Sequence, residues 1–79
     1  MFDPKILSQM VNLEEINLVH LDMWGYISDD FVKNLKKLRY LNLANNNLEG
    51  TLPDVMEWAD MKELKMIELQ NNSFTGDIP

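Results

Sequence analysis

Apolar residues in this chain fall into one pattern written three times: an apolar residue, two variable positions, then apolar-x-apolar, beginning at Leu13, Leu38 and Leu64. The copies read LEEINLVHLDMWGYIS, LRYLNLANNNLEGTLP and LKMIELQNNSFTGDIP. The period is 25 residues from Ile16 to Leu41 and 26 from Leu41 to Ile67, so self-similarity governs the reading before any single residue does. The alternation predicts a short strand with one buried face in each copy, near residues 13–18, 38–43 and 64–69. Between copies, Ile6/Met10, Phe31/Leu35 and Met56/Met61 place apolar residues four or five apart. That spacing predicts a helical turn or 3₁₀ segment packed back onto the strand.

Asn45, Asn46 and Asn47 follow the second strand, and Asn71, Asn72 and Ser73 the third. Such residues leave a strand readily because their side chains hydrogen-bond nearby backbone. Gly25, Gly50 and Gly76 fall at one phase of the repeat, where a bend or close approach is easiest without a β-carbon. Pro53 and Pro79 share another phase, occupied by Ser28 in the first copy. A strand with a returning arc of this length cannot bury its apolar face alone, so neighbouring copies are expected to stack. The predicted fold is an α/β solenoid of three repeats over residues 1–79. Its parallel β-sheet lies on the concave face and short helical or 3₁₀ arcs on the convex face.

The second copy, Leu38-x-x-Leu41-x-Leu43-x-x-Asn46-x-Leu48-x-Gly50-x-Leu52-Pro53, resembles a leucine-rich repeat of the plant-specific type. The third is similar, with Leu64, Ile67, Leu69, Asn72, Phe74, Gly76, Ile78 and Pro79. The first departs from it, having Leu21 where the Asn stands and Ser28 where the Pro stands. The resemblance implies that Asn46 and Asn72 form a hydrogen-bonded ladder inside the turns. At Leu21 the ladder is expected to be absent and the turn to be held by packing. It also implies a receptor-like ectodomain that senses peptides or microbial molecules.

Composition narrows the function. A formal net charge of −6 argues against nucleic-acid binding, which needs a basic stripe to displace counterions. Lys33, Lys36, Lys37 and Arg39 cluster on a predicted solvated arc beside Asp29 and Asp30, and read as a solubilising face. Absence of Cys excludes a disulfide framework and a thiolate metal site. It leaves the compartment open, since in the family the paired Cys lie in capping segments. Met1-Phe2-Asp3-Pro4-Lys5 lacks the features of a signal peptide, and no stretch suits membrane contact. Neither end resembles a cap: Phe2-Asp3 stands at the phase of Leu52-Pro53, and Ile78-Pro79 at the same phase. We read the chain as a segment of a longer array, with localisation at the cell surface following only from the resemblance.

No catalytic constellation, cofactor or metal site is expected. A three-repeat solenoid offers a surface rather than a cleft, and His20 is the single histidine. Glu14 and Glu15, as neighbours on a strand, face opposite ways and cannot act at one site, and both they and Asp29/Asp30 read as solvated charge. The three glycines come one per repeat, which is not a phosphate-binding loop.

The variable strand positions should line up as columns across the concave face, the surface that solenoids use for partners. They are Glu15, Tyr40, Met66; then Asn17, Asn42, Glu68; then Val19, Ala44, Gln70; then His20, Asn45, Asn71. Tyr and Met suit interfaces, and Ala44 is expected to leave room beside Tyr40. Trp24 and Tyr26 flank Gly25, with Glu49/Thr51 and Thr75/Asp77 as their equivalents. An extended backbone would put both rings on one side, as a lateral contact patch or as cover for the irregular turn at Leu21. Trp58 lies where the third unit carries its extra residue and is expected to pack onto the arc. Asn71-Asn72-Ser73 is an N-glycosylation sequon, although the same triplet suits the turn on structural grounds.

The expected function is non-catalytic recognition of a protein or peptide, within a receptor-like ectodomain acting in signalling or defence. Two alternatives are a stand-alone repeat scaffold that self-associates through its open ends and a secreted inhibitor of a wall-degrading hydrolase.

Overall fold

Each apolar triplet forms a strand of three residues: β1 (Glu15–Asn17), β3 (Tyr40–Asn42) and β5 (Met66–Glu68). In the computed structural model, which describes residues 4–53 and 55–75, these strands make one parallel sheet in the order β1-β3-β5. The expectations at Phe2-Asp3, Gly76, Asp77, Ile78 and Pro79 lie outside the described residues, as does the side chain of Met56. The register follows the repeat: Glu15, Ile16 and Asn17 face Tyr40, Leu41 and Asn42, which face Met66, Ile67 and Glu68. Leu18 and Leu43 extend it by donating to the carbonyls of Asn42 and Glu68, both at 2.9 Å.

The arcs are built from local chemistry. Pro4–Gln9 is a 3₁₀ segment and α1 (Asp29–Asn34) a short helix. Ser28 caps α1: its Oγ accepts from the Phe31 N–H at 3.3 Å, which explains a Ser where the other copies carry Pro. Asp29 and Asp30 in the first turn and Lys33 in the last complement the helix dipole. In the next arc, α2 (Val55–Ala59) carries Trp58, which packs half-buried against the core and donates from Nε1 to the Pro53 carbonyl at 3.0 Å.

A second parallel sheet, not anticipated from the pattern, joins β2 (Trp24–Gly25), β4 (Asn47–Thr51) and β6 (Ser73–Thr75) in the order β2-β4-β6. Its partners are Trp24 with Asn47, Gly25 with Leu48, Glu49 with Ser73 and Gly50 with Phe74. Neighbours here are two residues out of step with the repeat, so Trp24 does not face its sequence equivalent Glu49. The stagger brings Gly50 against Tyr26: a β-carbon on Gly50 would lie 3.3 Å from Tyr26 Cβ, and Gly50 has φ +84. Gly50→Ala should therefore destabilise by roughly 1–2 kcal/mol through left-handed strain, seen as a lower urea midpoint at unchanged m-value.

Asn46 is the polar centre of the molecule. Buried between the first two repeats, its Oδ1 accepts from the N–H groups of Leu21 and Met23, both at 3.0 Å. Its Nδ2 donates to the carbonyls of Leu18 (2.9 Å), Leu43 (3.0 Å) and Ala44 (3.2 Å). Asn72 repeats the device one step on, accepting from Leu48 N–H at 3.0 Å and donating to Leu43 and Leu69 carbonyls at 3.0 and 3.1 Å. The ladder therefore points backward, each Asn satisfying the turn of the preceding repeat. This corrects the expectation at Leu21. The first turn needs no Asn of its own because Asn46 reaches it, and Leu21 is 42% exposed rather than packed.

Core burial follows stacking. The second repeat has neighbours on both sides and buries Leu38, Leu41, Leu43 and Leu48 completely or nearly so. The equivalent Leu64, Leu69 and Phe74 are only half-buried, and Ile67 is 40% exposed. Phe31 and Val32 from α1, its C-cap Leu35, and Met23 and Ile27 before it belong to the same buried cluster.

Candidate recognition surface

The β1-β3-β5 face carries the first two columns as expected, because in-step parallel pairing places every second side chain in line. Glu15, Tyr40 and Met66 are direct partners, as are Asn17, Asn42 and Glu68. Glu15, Asn17 and Met66 are exposed, while Tyr40, Asn42 and Glu68 are half-buried. Asn42 is held in place: its Nδ2 donates to Glu68 Oε2 at 3.1 Å and its Oδ1 accepts from Ala44 N–H at 3.1 Å.

Ala44 departs from expectation. It is 1% exposed, so it is covered by its surroundings and opens no notch beside Tyr40. Arg39, placed by composition on the solubilising arc, instead holds its guanidinium 5.5 Å from the centre of the Tyr40 ring, within cation–π range. Its partners across the sheet are Glu14 and Lys65, through N–H bonds of 2.7 Å from Arg39 to the Glu14 carbonyl and from Lys65 to the Arg39 carbonyl. A charged row Glu14, Arg39, Lys65 thus forms one rim. The sequence signal was available, since these three share the repeat phase one residue before the first column. Elsewhere in the basic cluster, Lys36 meets Asp60 at 3.9 Å and Lys37 donates to Asn12 Oδ1 at 3.1 Å, both in solvent-exposed settings.

The opposite rim is the row His20, Asn45, Asn71, at φ +57, +61 and +60, the left-handed conformation that turns each chain out of its strand. Asn tolerates it well. In the first copy Asp22 is also left-handed at φ +52, part of the irregular turn. Asn71 Nδ2 donates to Asn45 Oδ1 at 2.8 Å, tying two members of the row together.

The aromatic pair sits elsewhere. Trp24 and Tyr26 are 50% and 59% exposed, on the flank formed by β2 and the segment after it. Gly25 between them has φ +99, so the extended backbone that would align the two rings is absent. Nor do the rings bury Leu21, which is itself exposed. Tyr26 borders an open groove of about 500 Å³ whose other walls include Asp29, Asp30, Thr51 and Pro53. Among the described residues no group of His, Asp and Glu is arranged to hold a metal ion, and no helix is long and apolar enough to cross a membrane.

Comparison with known proteins agrees with this geometry. A family model described as "Leucine rich repeat" matches residues 25–74. The chain is 34% identical over 67 residues to the Arabidopsis thaliana leucine-rich repeat receptor-like serine/threonine-protein kinase RGI4, covering 85% of this chain and 6% of the kinase. It is 39% identical over 67 residues to Arabidopsis receptor-like protein 52, covering 85% of this chain and 7% of that protein. In a crystal structure of the Arabidopsis receptor kinase HAESA, in complex with the peptide hormone IDA and the co-receptor SERK1, the match has a TM-score of 0.81 at 32% identity. It covers 99% of this chain and 13% of that one. The chain thus spans under a tenth of the length of these curated relatives. The matched model, the backward-pointing asparagine ladder and the in-step sheet together place the chain in the leucine-rich repeat family.

Proposed function

We propose that this chain is a non-catalytic recognition segment of a plant receptor-like ectodomain at the cell surface, binding a protein or peptide through the β1-β3-β5 face. The observation that carries the reading is the pair of straight columns, Glu15-Tyr40-Met66 and Asn17-Asn42-Glu68, in which Asn42 fixes the Glu68 carboxylate. A rigid aromatic ring, a flexible thioether and oriented polar groups on one flat support are what peptide recognition requires. The complex of the receptor kinase HAESA with a peptide hormone and a co-receptor supports a peptide or protein as the class of ligand.

A synthetic peptide array screened against the chain tests this, with hits measured again on Tyr40→Ala and Glu68→Ala. Affinity should fall about tenfold or more, as for a contact worth over 1.4 kcal/mol, while the thermal midpoint of Glu68→Ala stays near that of the parent. Binding that survives both changes and is lost on Trp24→Ala would move recognition to the flank.

One observation favours a second reading, self-association through the ends. Met66 and Ile67 are 53% and 40% exposed on β5, an edge strand of the sheet, and such edges template further pairing. A sedimentation coefficient rising with concentration would support it; a constant monomer value would exclude it.

A further inference from the structure

Asn71-Asn72-Ser73 is the single Asn-x-Ser/Thr triplet in the chain, and its two asparagines are held in different ways. Asn72 is half-buried, and its amide is spent on the ladder, with bonds to Leu48, Leu43, Leu69 and Gln70 backbone groups. Asn71 is exposed, and its left-handed backbone at φ +60 turns the chain out of the strand. Its Nδ2 makes one bond, 2.8 Å to Asn45 Oδ1. Ser73, two residues on, is exposed at the start of β6. The reactive amide and the hydroxyl that the sequon requires are both at the surface, and neither supports the core.

We propose that Asn71 carries an N-linked glycan, and that this glycan closes the His20-Asn45-Asn71 rim, leaving the recognition face open from the Glu14-Arg39-Lys65 rim. The step rests on the proposed cell-surface location, since it requires passage through the secretory lumen. There a bond forms between Nδ2 and the anomeric carbon of an oligosaccharide, while the bond from that carbon to a polyprenyl pyrophosphate breaks. The pyrophosphate leaves with the electron pair, and one Nδ2 proton passes to the transferase base. The secondary amide that results keeps one N–H, enough to preserve the bond to Asn45 Oδ1. The sugar then stands beyond the end of β5, and the rim residue His20, two strands away, is about 10 Å distant at ordinary strand spacing. Tyr40 and Met66 lie in the column farther from this rim, toward Arg39.

The chain fused to a secretion signal and expressed in plant cells tests both parts, because the fusion supplies the lumenal location whatever the parent protein is. Intact mass should show one glycan, mapped to Asn71 by enzymatic release that converts the modified Asn to Asp. Ser73→Ala should abolish it and Ser73→Thr retain it; Asn71→Gln should also abolish it. A folded, secreted and unmodified wild-type chain overturns the site and leaves peptide binding by the face untouched. Hydroxyl-radical footprinting of glycosylated and deglycosylated chains tests the rim. Oxidation of His20 should rise on deglycosylation while Tyr40 and Met66 stay constant. Equal His20 oxidation in both forms overturns the shielding.

Discussion

Asn46→Ala is expected to lower stability by roughly 3 kcal/mol, the upper end of the cost of unsatisfied buried polar groups. One methyl-sized side chain would replace an amide that serves five backbone groups across two repeats: the N–H of Leu21 and Met23 and the carbonyls of Leu18, Leu43 and Ala44. No water-filled route compensates easily, since Asn46 and Met23 are buried. Asn72→Ala removes the equivalent amide from a half-exposed position, so its effect should be smaller. Glu49→Ala, exposed on β4, should lie within about 0.5 kcal/mol of the parent. Urea unfolding of the three variants checks the order, and equal losses for Asn46→Ala and Glu49→Ala would refute the ladder assignment.

Phe31→Ala should be still more damaging, by about 3–5 kcal/mol. Phe31 is completely buried on α1 and packs within the cluster that includes Leu7, Met23, Ile27 and Leu35. It is a large side chain filling the space between the arc and the two sheets, and its loss leaves a cavity that short strands cannot collapse to fill. Small domains hold only about 5–15 kcal/mol in total, so the variant should be largely unfolded under mild heating. Loss of dispersed methyl resonances would report this. Phe31→Leu, which retains most of the volume, should keep the native spectrum; native-like stability of Phe31→Ala would mean that α1 does not close the core.

Side-chain periodicity was enough to place the three strands, because a strand with one buried face writes its register into alternate positions. The alignment of the first two columns followed directly, and so did the packing of Trp58. What remained hidden depended on contacts between repeats rather than within them. Leu21 looked like a broken rung because its own copy lacks the Asn, but the acceptor for its N–H is the Oδ1 of Asn46, one repeat later. Ala44 looked like an open notch because its phase is variable, yet it is buried. The β2-β4-β6 sheet has little apolar alternation, being two to five residues per strand, and its two-residue stagger breaks the equivalence that aligned copies suggest. Arg39 was assigned to the arc by charge, although its guanidinium lies 5.5 Å from the centre of the Tyr40 ring.

The recognition face depends on register, and register depends on each asparagine reaching back to the preceding repeat. The central claim is therefore tested most directly by native-state amide hydrogen exchange, read at Leu21, Met23 and Leu48 in the parent and in Asn46→Ala. All three amides should be protected in the parent, and Asn46→Ala should release Leu21 and Met23 selectively while Leu48, held by Asn72 Oδ1 at 3.0 Å, remains slower. Rapid exchange of Leu21 and Met23 in the parent, with the β1-β3-β5 amides still protected, would contradict the backward ladder and the dependence of the aligned face on it.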